Sequence, residues 1–149
     1  MSNDALRGVL IEAPVDAWEE FDVTERKVIH TDAAPAAVGP YSQAVLSGDL
    51  LFSAGQIPLD PATGKLVEGD IQTQTRQVLR NVEAVLAAAD MSWKDVVKAT
   101  LFLADMNDFK AVNEVYATVF DDEPPARSAF QVAGLPLDAR VEIEVIARR

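Results

Sequence analysis

The 149-residue chain has 13 Lys and Arg against 24 Asp and Glu, a formal net charge of −11, and 49% hydrophobic residues: enough for one domain with a real core. It has no cysteine, which excludes disulfides, thiol catalysis, zinc–cysteine sites and iron–sulfur clusters. The negative charge argues against nucleic-acid binding over a broad surface, which needs clustered Lys and Arg, but leaves room for a local positive pocket that takes a small anion.

Residues 1–23 read apart from the rest. Glu12, Asp16, Glu19, Glu20 and Asp22 make them acidic, and Pro14 interrupts them. Trp18 and Phe21, three apart, fit either a short amphipathic helix that docks on a neighbouring subunit or a tail. Residues 1–10 lack the basic and apolar regions of a secretory signal, and no run of 18 apolar residues marks a membrane span. A cytoplasmic protein is expected.

Glu25–His30 reads as a first strand. His30 is the single histidine, so a multi-histidine metal site is excluded and a Ser-His-Asp triad would have to be built around this residue. A loop rich in Ala and Pro follows to Pro40. Tyr41–Leu46 and Leu50–Ala54 read as a hairpin turning at Ser47-Gly48-Asp49. Gly55–Gly64 is a second loop, punctuated by Pro and Gly. Asp70 is the expected cap of a long helix whose apolar face is Ile71, Thr75, Val78, Leu79, Val82, Val85, Leu86 and Ala89.

Ser92–Asp95 resembles a short capped turn. Val96–Leu103 is a strand apolar on both faces, hence expected at the sheet centre. A second helix from near Asn107 buries Phe109, Val112, Tyr116, Val119 and Phe120, and Asp121–Pro125 ends it. Strands near Arg127–Val132 and Val141–Ala147 finish the chain. The order is β-β-β-α-β-α-β-β, an α+β arrangement with both helices on one face of a single sheet. The other face needs cover, which a homo-oligomer would supply.

The last quarter holds the chemistry. Arg127 is alone in an almost uncharged strand, and Val141–Ala147 alternates Val or Ile with Glu. Glu142, Glu144 and Ile146 therefore share one strand face, with Val141, Ile143 and Val145 on the other. Two carboxylates there are costly to bury unless a cation or ligand meets them. If the two final strands lie side by side, Arg127 could fork an anion while a glutamate moves protons.

Several short pieces, in this order and spacing, resemble the RidA/YjgF family of reactive-intermediate deaminases. They are Ala34–Ala44, Gly55-Gln56-Ile57-Pro58, Asp70-Ile71 with Gln74-Thr75, and Asn81-Val82. Val97–Thr100, Asp108-Phe109 with Asn113 and Tyr116, Pro125–Ser128 and Glu142-Ile143-Glu144 complete the set. The resemblance runs from about Thr24 to Arg149. It divides the chain into an extension, 1–23, and a RidA-like domain, 24–149.

The resemblance implies a chorismate-mutase-like α+β fold and a homotrimer with ligand clefts between subunits. It implies hydrolysis of enamines and imines such as 2-aminoacrylate to 2-keto acids and ammonia, with no cofactor and no metal. Arg127 matches the arginine that holds the substrate carboxylate, and a planar guanidinium suits that task. Glu142 matches the glutamate that positions water and shuttles protons, both steps of imine hydrolysis being within reach of one carboxylate. Glu144 supports it.

Tyr41, Ser42 and Gly55 match pocket-lining positions, Asn113 a polar neighbour. Ala129 stands where many relatives have cysteine, so its backbone N–H is the useful group. Bland readings stand beside these: an ion pair of Arg127 with Glu142 or Glu144, an inter-subunit hydrogen bond for Asn113, and core roles for Phe109 and Tyr116. The loop Asp121–Pro125, expected at the pocket rim, is shorter than in bacterial relatives. Two other functions compete with deamination: non-catalytic binding of small 2-keto acids, and cleavage of single-stranded RNA, against which charge and the lack of basic clusters argue.

Overall fold

The computed structural model describes residues 25–149, so the readings made of residues 1–23, including Trp18 and Phe21, lie outside the described residues. Strands β1 (Arg26–Ile29), β2 (Ala44–Ser47) and β3 (Leu50–Ser53) come first. Helix α1 (Ile71–Ala88) leads into β4 (Val96–Leu103), and α2 (Phe109–Tyr116) into β5 (Ala126–Gln131) and β6 (Val141–Arg148). This is the expected β-β-β-α-β-α-β-β order.

The six strands form one mixed sheet in the order β1-β2-β3-β6-β4-β5. Only β4 and β5 pair in parallel, because a helical crossover joins them. The condition that the sequence left open is not met: β4 lies between β5 and β6, pairing with β6 from Leu103↔Val141 to Val96↔Ala147. The hairpin β2–β3 turns on Gly48, whose φ of +59° is a left-handed value that a two-residue turn requires and glycine supplies cheaply.

Both helices pack on one sheet face. Asp70 caps α1 by accepting from the Thr73 N–H at 2.7 Å, which holds its carboxyl below the ordinary value. The apolar stripe expected on α1 is buried from Ile71 to Ala89. It meets Leu51, Ala99, Leu101, Leu103, Val141, Ile143, Val145 and Ala147 from the sheet, and Val112, Val115 and Tyr116 from α2, in one core. Truncating one of the fully buried leucines would cost about 2–5 kcal/mol. α2 is shorter than its periodicity predicts: it ends at Tyr116 and tightens into a 3₁₀ turn over Ala117–Val119.

The outer sheet face differs. β4 is interior in strand order, but only its helix-side face is buried, and Val97 is 47% exposed. Its second apolar face is thus uncovered within the protomer, not central to a two-sided core. Register aligns Val28, Val45, Phe52 and Ile146 in an apolar row across four strands. Val28 and Phe52 are each more than two-fifths exposed.

Candidate active site

β6 alternates buried and half-buried residues from Val141 to Ala147. Val141, Ile143 and Val145 enter the core, so Glu142 and Glu144 stand on the outer face, as the alternation predicts. Opposite them across β4 are Phe102 and Thr100. The chain leaves β3 and crosses back through Ala54-Gly55-Gln56, where Gln56 and Ile143 exchange both backbone hydrogen bonds, at 2.8 and 3.0 Å. This brings Gly55 against the Glu142 side chain. A Cβ at Gly55 would overlap the Glu142 side chain, so glycine is what lets the carboxylate lie against the backbone there.

Glu142 closes one side of a cavity of about 540 Å³. Val38, Tyr41, Ile57, Leu59, Pro136 and Leu137 line its wall, and among the described residues Glu142 is the one charged residue lining it. Burial, and then the neighbouring Glu144 charge, raise the Glu142 carboxyl above its ordinary value. A carboxyl so placed exchanges protons nearer neutral pH than a solvated one, which suits a general acid–base.

The loop before Tyr41 is held by a residue that the sequence reading left without a role. Gln43 is buried; its amide donates to the carbonyls of Thr31, Ala34 and Pro35 and accepts from the Thr31 N–H at 2.7 Å. Asn81 does the same for the next loop, donating from α1 to the Ile57 and Leu59 carbonyls at 3.1 and 2.9 Å. Both sit inside the quoted motif pieces, and a polar residue on an otherwise apolar helix stripe is the signal that points to Asn81.

Arg127 lies elsewhere. In β5 it pairs with Ala99, and Ala129 with Leu101, both fully buried, so Arg127 and Ala129 face the helices. The guanidinium donates to the Asn113 side-chain oxygen and rests over the rings of Phe109 and Tyr116, 5.4 and 5.0 Å from their centroids. Phe109, Asn113 and Tyr116 are spaced i, i+4, i+7, one face of α2. That spacing was legible, yet reading the two aromatics as core alone missed their contact with the arginine. Arg127 has no carboxylate within ion-pair distance among the described residues, so the ion pair with Glu142 or Glu144 is absent within the protomer.

One protomer therefore brings together Glu142, Gly55 and Tyr41, and separately Arg127, Asn113 and Ala129. The groups lie on opposite faces of the sheet. Ser42 is half-exposed beside Tyr41 and does not line the cavity. His30 is exposed, 3.3 Å from Asp32, and is no part of either group. Within the protomer Asp121–Glu123 do not rim the Glu142 cavity; they line a second one, of about 520 Å³, with Trp93, Lys94 and Phe120. No group of three or more His, Cys, Asp or Glu among the described residues is placed to hold a metal ion. No described helix is long and apolar enough to cross a membrane.

The profile of the endoribonuclease L-PSP family matches residues 31–149. The 2-iminobutanoate/2-iminopropanoate deaminase of Mus musculus is 52% identical over 122 residues, 82% of this chain and 90% of that protein. The crystal structure of RidA from an Antarctic Psychrobacter superimposes with a TM-score of 0.80 at 46% identity, covering 83% of this chain and 99% of that one. Escherichia coli TdcF, solved with bound serine, gives 0.79 at 48% identity, over 83% of this chain and 98% of that one.

Proposed function

The chain belongs to the endoribonuclease L-PSP family, the RidA/YjgF proteins, and from that premise we propose that it hydrolyses reactive 2-imino acids to 2-keto acids and ammonia. The observation that carries the reading is the Glu142 carboxyl, half-buried against Gly55 in a cavity with no other charged lining residue among the described residues, and raised above its ordinary value. The deaminase name borne by a relative 52% identical supports it.

The chemistry needs one proton carrier. Glu142 as carboxylate takes a proton from water while the water oxygen bonds to the carbon of the nitrogen-protonated imine. The product is a neutral 2-amino-2-hydroxy acid. Protonated Glu142 then gives its proton to nitrogen, the C–N bond breaks with its electron pair going to the departing ammonia, and the hydroxyl becomes the keto group as its proton passes to the Glu142 carboxylate, which releases it to ammonia or solvent. An enamine such as 2-aminoacrylate first takes a proton at its terminal carbon to become the protonated imine.

Arg127 holds the substrate carboxylate, with Asn113 fixing the guanidinium and the Ala129 N–H adding a donor. Because Arg127 and Glu142 occupy opposite sheet faces, the complete site forms between copies: the Glu142, Gly55 and Tyr41 group of one protomer meets the Arg127 edge of the next. The uncovered row Val28, Val45, Phe52 and Ile146 supports such an assembly, which we take to be a homotrimer. Residues 24–149 make up the catalytic unit, and residues 1–23 are an extension to it.

The family's title suggests RNA cleavage instead. A polyanion needs clustered basic side chains along its path, and 13 Lys and Arg against 24 Asp and Glu argue against such a surface. The deciding experiment generates 2-aminoacrylate in situ and follows ammonia release with and without the protein. Acceleration over buffer is expected. Its absence, with pyruvate still binding, would leave a keto-acid binding protein.

A further inference from the structure

The two half-sites of a protomer lie on opposite sheet faces, and one ion pair joins the segments that carry them. Arg140 stands two residues before Glu142, and Asp108 immediately before Phe109. Arg140 Nη2 donates to both carboxylate oxygens of Asp108, at 2.9 and 2.8 Å. The Arg140 carbonyl also accepts from the Ala104 N–H at 3.0 Å, which fixes the start of β6 at the end of β4. The Asp108 side chain is mostly buried, so water screens this pair less than it does a pair on the open surface.

Asp108 is not spent on its own helix. It occupies the cap position of α2, where a carboxylate ordinarily accepts from an N–H of the first turn, and it makes no such bond. Its oxygens go to an arginine 32 residues away in the chain. On the arginine side the chain needs an anchor. Leu137 and Asp138 have φ of +57° and +56°, left-handed values that cost a leucine, so the turn keeps its form only if its ends are held. Ala139, 1% exposed, and the paired Arg140 hold the end that runs into β6. Pro136 and Leu137, in that turn, line the Glu142 cavity. On the aspartate side, the Phe109 ring lies under the Arg127 guanidinium, and Asn113 accepts from it.

Resting on the deaminase reading above, we infer that Asp108 and Arg140 are positioning residues for the reaction: their ion pair sets the spacing between the Glu142 wall and the Phe109–Asn113 cradle of Arg127. Neither touches substrate. Without the pair, the proton carrier and the carboxylate holder each lose a fixed support. A single arginine nitrogen meets both oxygens, so the contact requires a cation at that point and not a guanidinium fork. Lysine can therefore stand in for the arginine.

The test uses the full chain. Turnover of 2-aminoacrylate generated in situ gives kcat and KM, and calorimetry gives Kd for pyruvate. Asp108→Asn and Arg140→Met should each lower kcat/KM about tenfold, less than a full ångström of misplacement costs, with kcat and KM both moving. Each should also weaken pyruvate binding. The double variant should fall no further than either single one, because the two residues act as a unit. Arg140→Lys should recover most of the loss that Arg140→Met shows. A merely structural role would lower Tm and leave kcat/KM and Kd in place. Unchanged kcat/KM and Kd in the single variants, additive losses in the double variant, or Arg140→Lys as poor as Arg140→Met overturns the inference while leaving the deaminase reading intact. If the wild type accelerates no imine, the deaminase reading fails, and the same pattern in pyruvate Kd across the variants decides the inference. Neither turnover nor pyruvate binding in the wild type overturns both.

Discussion

At the scale of single residues, Glu142 and Arg127 have separable tasks. Glu142→Gln keeps size and shape but cannot accept a proton, so turnover should fall roughly 10²–10⁴-fold with keto-acid binding retained. Arg127→Ala should instead weaken calorimetric binding of pyruvate by about 2–5 kcal/mol. Full turnover in the first variant, or normal binding in the second, would reverse the assignment. The pH profile adds a check. Burial raises the Glu142 carboxyl, so kcat/KM should decline on acidification through a pKa above the ordinary value, and that limb should vanish in Glu142→Gln. The stability sign is opposite to that of a paired carboxylate. The folded state binds this proton more tightly than the unfolded one, so an ionisation penalty absent at low pH grows as pH rises through the folded pKa. Glu142→Gln should therefore raise Tm relative to wild type at neutral pH and not at pH 4. Gly55→Ala tests position alone. Its Cβ would displace the carboxylate, a flexible side-chain end, so Tm should barely change while kcat drops about 10²-fold.

At the scale of elements, the cavity is two irregular loops held by two buried amides. Asn81, 1% exposed, ties the loop at Ile57 and Leu59 to α1. Asn81→Leu leaves those carbonyls without their donor. Urea unfolding should show a loss of about 1–3 kcal/mol, and KM should rise more than kcat falls, because a cavity wall loosens while Glu142 stays on its strand. An unchanged KM would confine Asn81 to stability. The elements themselves were legible in the sequence. A period of two gave β6 and the shared face of Glu142 and Glu144, and a 3.6-residue period with Asp70 as cap gave α1. Strand order was not. Local periodicity says which face a strand buries but not its neighbour, and the insertion of β4 between β5 and β6 follows from the crossover through α2. The sequence could say only that Arg127 and Glu142 would come together if β5 and β6 were adjacent; each residue was rightly placed in its strand, and β4 separates the two.

At the scale of the whole molecule, the opposite placement of Arg127 and Glu142 becomes the strongest test of assembly. Light scattering should give three chains per particle, but a trimer alone does not locate the site. Mixing two inactive variants does. In a particle whose sites form between protomers, each site takes its Arg127 from one chain and its Glu142 from the next. Unfold Arg127→Ala and Glu142→Gln chains together at equal amounts, then refold them so that subunits mix at random. Half of the sites receive an intact arginine, half of those an intact glutamate, and roughly a quarter of wild-type turnover should return. Separately refolded variants, combined afterwards, should show none unless subunits exchange. If both residues served one site within a single chain, every chain would carry one defect and mixing would restore nothing. A quarter of the activity thus requires that the two half-sites on opposite sheet faces be joined by contact between copies. Substituting Phe52→Asp in the exposed apolar row should abolish that recovery by preventing assembly, and the same variant should run as a monomer with β6 and its Glu142 cavity still folded.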